Sequence, residues 1–274
     1  MNFFDMCEIE TSLFDRSYAE KNANWLIMKK IYEKNIDKNN GETIPNIIHF
    51  IWLGAPMPEW YVKNIEDWKN KNPDFEVKIW GNKDVEDFLP TMENKELYLA
   101  APSWGNKSDL LRYEILKQYG GLYVDVDFLC LSSEFSAIHS NASFYAGICL
   151  EREVQMNNGI MASAPNHPIL DLCIQRCTLD NPWEIACDQT KVLYQTGPWV
   201  LTESILRYIK EWSWTAFDNV LIFPSQSFHP FPAAYRNEAT EELIKSYLKP
   251  WSYACHLWHA SWQPDSKHYV GDLI

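Results

Sequence analysis

The sequence predicts an α/β protein: a mixed, mostly parallel sheet flanked by helices, with an N-terminal helical appendage over residues 1–41 and the main domain over residues 42–274. Three observations predict it. Short apolar, β-branched runs such as Ile47-Ile48-His49-Phe50-Ile51-Trp52-Leu53-Gly54 have the composition of strands buried on both faces. Amphipathic helical patterns alternate with these runs, the rhythm of strands joined by crossover helices. The pair Gly120-Gly121 then stops a helical pattern and lets the backbone turn sharply into the next strand.

Taken in order, Trp25, Met28, Ile31 and Tyr32 recur at helical spacing while Lys29, Lys30 and Glu33 face elsewhere, giving the appendage its helix. The turn residues Asp37-Lys38-Asn39-Asn40-Gly41 close it. After the strand at 47–54, Pro58 to Asn72 reads as a helix, with Pro58 near its start and Trp60, Asn64, Ile65 and Trp68 on one side. Phe75 to Trp80 alternates as a strand, and Asn82 to Phe88 is a short helix opened by a capping residue type. Ser108 to Tyr119 is helical and Leu122 to Phe128 is strand. Strands are expected at 144–150, 159–162, 220–223 and 254–258, and helices at 167–177 and 201–210.

Composition narrows the function classes. The chain has 274 residues, with 24 Lys and Arg against 37 Asp and Glu, a formal charge of −13. Nucleic acid and anionic membranes reward clustered positive charge, so both are disfavoured as partners. Aromatic residues make up 15% of the chain, enough to build a large core or to line sites for flat or ring-shaped ligands. Seven cysteines without a C-x-x-C pair read as free thiols of a reducing compartment. No apolar run approaches the roughly 18 residues of a membrane span, and the N-terminus lacks the pattern of a cleaved signal. These features lead us to expect synthesis in the cytoplasm and no transmembrane segment, with signal-less secretion into a host cell left open.

The chemistry concentrates at Tyr123-Val124-Asp125-Val126-Asp127. If these residues end a strand, Asp125 and Asp127 point to the same face. Two carboxylates that close, partly desolvated, repel each other, and a hard divalent cation such as Mn²⁺ or Mg²⁺ relieves the repulsion. A solvated loop that happens to hold two aspartates is the competing reading. Just upstream, Asp109 and Arg112 are three residues apart and share one helical turn, either as part of a ligand site at a helix N-terminus or as an ordinary ion pair. Trp52 could equally be strand core, and His49 reads as a hydrogen-bonded core residue. His256 and His259 would point to opposite faces of a strand, so at most one of them reaches a given metal.

These residues resemble the D-x-D sugar-transferase family of fungal initiating mannosyltransferases, bacterial capsule-type transferases and the glucosyltransferase domains of clostridial toxins. The resemblance runs through Ile44-Pro45-Asn46-Ile47-Ile48-His49-Phe50-Ile51-Trp52-Leu53-Gly54, Ser108-Asp109-Leu110-Leu111-Arg112-Tyr113 and Tyr119-Gly120-Gly121-Leu122-Tyr123-Val124-Asp125-Val126-Asp127. It continues through Asn158-Gly159-Ile160-Met161-Ala162, Thr196-Gly197-Pro198 and His256-Leu257-Trp258-His259-Ala260-Ser261-Trp262. It implies a GT-A fold, a nucleotide-sugar donor (UDP-glucose favoured over UDP-galactose, UDP-N-acetylglucosamine and GDP-mannose), a divalent metal and retention of anomeric configuration. By the same resemblance, Trp52 would stack on the nucleobase with Ile51 alongside, and Ser108 would lie near the nucleoside. Asp109 and Arg112 would hold the donor sugar, Tyr123 would touch the phosphate or sugar, and Asn158 would lie near the reacting sugar. Asp125, Asp127 and His259 would be metal ligands, Asp125 also meeting the ribose, while Ser261 and Trp262 would close over the metal and the β-phosphate. The acceptor would be a glycan or a protein hydroxyl, in glycan biosynthesis or as an effector or toxin. A non-catalytic nucleotide-sugar or carbohydrate-binding module and a metal-dependent phosphohydrolase are the rival classes.

Overall fold

The computed structural model describes residues 2–9, 13–38, 44–149, 152–180, 188–211 and 219–259. In chain order these form α1 (Arg16–Ala19), α2 (Ala23–Asn35), β1 (Ile47–Ile51), α3 (Glu59–Lys71), β2 (Glu76–Trp80), α4 (Asn82–Phe88), α5 (Lys95–Ala100), α6 (Trp104–Tyr119), β3 (Gly121–Val124) and β4 (Phe128–Cys130). There follow α7 (Phe135–His139), β5 (Phe144–Ile148), β6 (Met156–Ser163), α8 (Pro168–Arg176), α9 (Asp188–Gln195), α10 (Pro198–Glu211), β7 (Val220–Phe223), α11 (Ser225–Phe228), α12 (Glu241–Tyr247) and β8 (Ala254–His256). The main sheet has the order β2-β1-β3-β6-β5-β7. β1 runs parallel to both β2 and β3, β6 is antiparallel to both β3 and β5, and β5 is parallel to β7. The expected mixed α/β sheet flanked by helices is therefore present. Among the described residues no helix is long and apolar enough to cross a membrane.

Strand alternation divides the core. Leu122 and Val124 of β3 point into a layer with Tyr61, Ile65 and Trp68 of α3, while Tyr123 between them points into the opposite layer with Leu110, Leu111 and Ile115 of α6. The N-terminal helical segment joins this second layer. Trp25, Met28 and Ile31 of α2 are buried there, and Asn35 Nδ2 donates to Val220 O of β7 at 2.8 Å. The expected boundary at Gly41 lies outside the described residues.

Three local departures from the sequence reading shape the site. Helix α6 begins at Trp104, capped by Ser103, whose Oγ accepts from Asn106 N at 3.1 Å. Ser108 and Asp109 therefore sit inside the helix, not at its N-terminus, and the helix-end argument for an anion site there does not hold. The expected strand at 122–128 is broken between Val124 and Phe128, because Asp125 to Phe128 forms a turn in which Phe128 N donates to Asp125 O at 3.1 Å. Side chains of α3 take the carbonyls there: Asn64 Nδ2 meets Val126 O and Phe128 O at 2.9 and 2.8 Å, and Trp68 Nε1 donates to Phe128 O at 2.8 Å. Last, β8 ends at His256, two residues before Trp258, which has a φ of 60°. A left-handed tryptophan is strained, costing on the order of 1–3 kcal/mol, and it re-aims the chain toward the D-x-D turn.

Candidate active site

The C-terminal ends of β1 and β3, the middle of α6, the start of β6 and the end of β8 open onto one cavity of about 590 Å³. Ile51, Trp52, Ser108, Asp109, Arg112, Asp125, Asp127 and Asn158 line it, so the fold brings together eight of the residues expected from sequence. Trp52 is half-buried, with Nε1 donating to Ala55 O at 2.8 Å and its ring tilted against Tyr61 at 5.1 Å. Ser261 and Trp262 lie outside the described residues.

Arg112 is the hub of the buried part. Its guanidinium lies 3.3 Å from Asp109 Oδ1 and 3.2 Å from Asp125 Oδ1. It also donates to Asn158 O at 2.8 Å, to Ser108 Oγ at 3.0 Å and to Ser108 O at 3.3 Å. All three of its nitrogens are thus engaged, and Arg112 acts by fixing the two carboxylates. Burial opposes its charge, but Asp125 and Asp109 hold the guanidinium firmly protonated. Asp109 accepts from Asn158 Nδ2 at 2.8 Å and from Thr196 Oγ1 at 2.9 Å. Burial nevertheless raises its acid to about 6, against the lowering effect of Arg112 and these two donors.

The D-x-D carboxylates have opposite environments. Asp125 is about 30% exposed and its Oδ1 accepts from Tyr123 OH at 2.5 Å. Desolvation raises its acid, Arg112 lowers it, and the neighbouring Asp127 raises it again, with the net shift upward. Burial alone would also raise Asp127, but His256 close to its Oδ2 and the His259 N–H hold it well below the ordinary range. The distances are 3.3 Å from His256 Nε2 and 2.9 Å from His259 N, both to Asp127 Oδ2. Gly159 completes the seat, since a Cβ there would come within 2.6 Å of Asp125 Oδ2 and 2.7 Å of Asn157 Oδ1.

Two residues are placed differently from what the resemblance implies. His259 is not in the cluster of ligand atoms formed with the carboxylates; its Nδ1 is 3.1 Å from Tyr61 OH, and its main-chain N–H donates to Asp127 Oδ2 at 2.9 Å. The imidazole that converges with the aspartates is His256, whose ring stacks on Phe128 at 4.2 Å and packs against Trp258 at 4.1 Å. The physical reason is the early end of β8, after which strand parity no longer governs where residue 259 points. Tyr123 is fully buried and does not line the cavity, and its hydroxyl donates to Asp125 Oδ1 at 2.5 Å. His49 is a core residue as read: Trp80 Nε1 donates to its Nδ1 at 3.1 Å and its Nε2 lies 2.9 Å from Gly120 O. Burial pushes its pKa down to about 4.

The residues fit a divalent cation. One ligand atom each from Asp125, Asp127 and His256 lie within 4.8 Å of one another, and His256 Nδ1 is buried without a hydrogen-bond partner among the described residues. Two hard oxygens and one imidazole nitrogen suit Mn²⁺, with Mg²⁺ second because it favours all-oxygen shells.

Residues 58–145, which span α3 through the start of β5 and include Ser108, Asp109, Arg112 and both D-x-D aspartates, match the family model for a glycosyltransferase sugar-binding region containing a DXD motif. Over this stretch the chain is similar to the sugar-binding region of DXD-containing glycosyltransferases. Over 229 residues the chain is 28% identical to an uncharacterized glycosyltransferase of Acanthamoeba polyphaga mimivirus, covering 82% of this chain and 86% of that one. It is also 28% identical over 174 residues to inositol phosphoceramide mannosyltransferase 3 of Schizosaccharomyces pombe, covering 63% of this chain and 48% of the relative, so the match spans about half of that protein. Subversion of eukaryotic traffic protein A of Legionella pneumophila is 33% identical over 108 residues, 30% of this chain and 17% of its own. Asn157, Trp104 and Arg236 also line the cavity and are not legible as site residues in the sequence. Trp104 opens α6 and is 50% exposed, where amphipathic patterning gave no signal for it. Thr196 belongs to a motif that was legible without a role, which its bond to Asp109 now supplies.

Proposed function

We propose that this glycosyltransferase moves a hexose, with retention of configuration and in a metal-dependent reaction, from a nucleoside-diphosphate donor to a hydroxyl of a glycan or protein. The observation that carries the reading is the convergence of Asp125, Asp127 and His256 in a cavity whose other wall holds Asp109 and Asn158. A divalent cation bound by Asp125, Asp127 and His256 would supply electrophilic stabilisation to the leaving diphosphate. Asp109 and Asn158, locked to each other at 2.8 Å, orient the donor hexose through their remaining hydrogen-bonding capacity. Trp52 offers a ring for the nucleobase and Ile51 an apolar floor.

Retention rests on the resemblance to the D-x-D family, and the carboxylates bear on the route by which it would occur. Asp109 is held by Arg112, Asn158 and Thr196, and Asp125 by Arg112 and Tyr123, so neither is presented as an attacking nucleophile. In a same-face reaction the bond from the anomeric carbon to the β-phosphate oxygen breaks and its electron pair stays on that oxygen. The acceptor oxygen bonds to the anomeric carbon, and its proton passes to the departing diphosphate. The donor is UDP-glucose or GDP-mannose, the latter because a relative is named as a mannosyltransferase.

The test is hydrolysis of a panel of UDP- and GDP-hexoses with Mn²⁺ or Mg²⁺. Turnover of at least one donor is expected, abolished by chelation and by Asp127→Asn with the fold retained by circular dichroism. A panel with neither turnover nor binding refutes the reading, and an active Asp127→Asn refutes the metal role.

A further inference from the structure

Carboxylates outnumber arginines three to two in the cavity lining, Asp109, Asp125 and Asp127 against Arg112 and Arg236. An anionic donor enters such a site only if cationic donors are available to it. Arg112 is not available, because each of its nitrogens is already engaged by Asp109, Asp125, Asn158 or Ser108. Arg236 is exposed, lines the same cavity, and has no ion pair or hydrogen bond among the described residues.

Its position is fixed by the main chain. Arg236 belongs to the 3-10 segment Ala233–Glu238, which begins with Tyr235 N donating to Pro232 O at 3.1 Å. The chain just before that segment is tied to the site: Trp258 Nε1 donates to Phe231 O at 2.8 Å, and the same tryptophan packs on His256 at 4.1 Å. Arg236 therefore rides on the wall that carries His256, the side where the phosphates of a metal-bound donor would lie. A planar guanidinium with free N–H groups matches phosphate oxygens two at a time, which a lysine cannot do.

Resting on the functional reading above, we propose that Arg236 binds the diphosphate of the nucleotide-sugar donor and so is the cation, besides the metal, that the leaving group meets. The experiment is equilibrium binding of UDP, GDP, uridine and guanosine to the whole protein with saturating Mn²⁺, by calorimetry, for the wild type, Arg236→Gln and Arg236→Lys. Arg236→Gln is expected to weaken the preferred nucleoside diphosphate by roughly tenfold or more while leaving its nucleoside unchanged. Arg236→Lys is expected to fall between the two, keeping charge but losing the fork. Unchanged diphosphate affinity in Arg236→Gln overturns the proposal, as does an equal loss for nucleoside and diphosphate, which would place Arg236 against the base or in the support of the wall. A wild type that binds neither diphosphate overturns the functional reading itself, a result distinct from the variant's failure.

Discussion

Replacing Asp109 with asparagine should make the protein more stable and less active, and the structure sets the size of the first effect. The Asp109 acid stands at about 6 in the folded chain against an ordinary 3.8. At about 1.4 kcal/mol per pKa unit, that gap corresponds to about 3 kcal/mol favouring the protonated carboxyl over the carboxylate in the fold. The folded state binds the proton more tightly than the unfolded one, so this contribution is complete below about pH 4 and is lost as pH rises through about 6. Above that window the wild type carries an ionised Asp109 in a buried site. The substituted asparagine is neutral throughout, its oxygen can still accept from Asn158 Nδ2, and Thr196 can turn its hydroxyl to accept. Arg112 keeps Asp125 and Asn158 O as partners. Allowing for the lost ion pair, Asp109→Asn should gain about 1–2 kcal/mol at pH 8, or a few degrees in melting temperature, and little at pH 4. Asp127 has the opposite sign, stabilising above about 3.8 and losing this on acidification, but it is common to both proteins and cancels in the difference. Urea unfolding from pH 4 to 8 in metal-free buffer measures the difference curve, and donor hydrolysis should fall about a hundredfold in parallel. A flat curve, or a variant less stable at pH 8 than at pH 4 relative to wild type, refutes the assignment of Asp109 as a carboxylate held at energetic cost.

Other outcomes follow from the carboxylate seat. His256→Ala should weaken Mn²⁺ binding at least about tenfold, read by paramagnetic relaxation of water protons, whereas His259→Ala should weaken it distinctly less because its ring is outside the cluster of ligand atoms; the reverse order would make His259 the ligand. Gly159→Ala places a methyl 2.6 Å from Asp125 Oδ2, so Mn²⁺ affinity and turnover should both drop while the unfolding free energy moves by less than about 2 kcal/mol, and unchanged affinity would show that Asp125 is not seated against β6.

Much of this architecture could be read from residues alone because it depends on local patterns. The helix at Asn82–Phe88 and the strand at Val220–Phe223 fall where apolar spacing puts them. Asp109, Arg112 and the two aspartates were legible because each pair lies within a few residues of one turn or one strand end, where spacing alone sets their relation. What escaped was set by distant partners. The carbonyls of Val126 and Phe128 look free for a strand in the sequence, and only the arrival of Asn64 and Trp68 from α3 takes them and bends Asp125–Asp127 into a turn. Ser103 is a capping residue type, but the turn after it, Trp104-Gly105-Asn106, carries a glycine and only one apolar residue, so the start of the helix is not legible there. His256 and His259 are indistinguishable in sequence until the left-handed Trp258 decides which ring turns inward.

The two-stranded pairing of β4 with β8, Phe128 opposite His256, joins parts of the chain separated by more than 120 residues. During synthesis from the N-terminus, the sheet and both aspartates emerge before β8 does. A nascent or C-terminally truncated chain therefore displays Asp125 and Asp127 without the imidazole at Asp127 and without the His259 N–H that holds its charge. The carboxylate seat is thus completed only when residue 256 zips onto residue 128, so a contact between distant parts of the chain decides when the two aspartates gain their third partner.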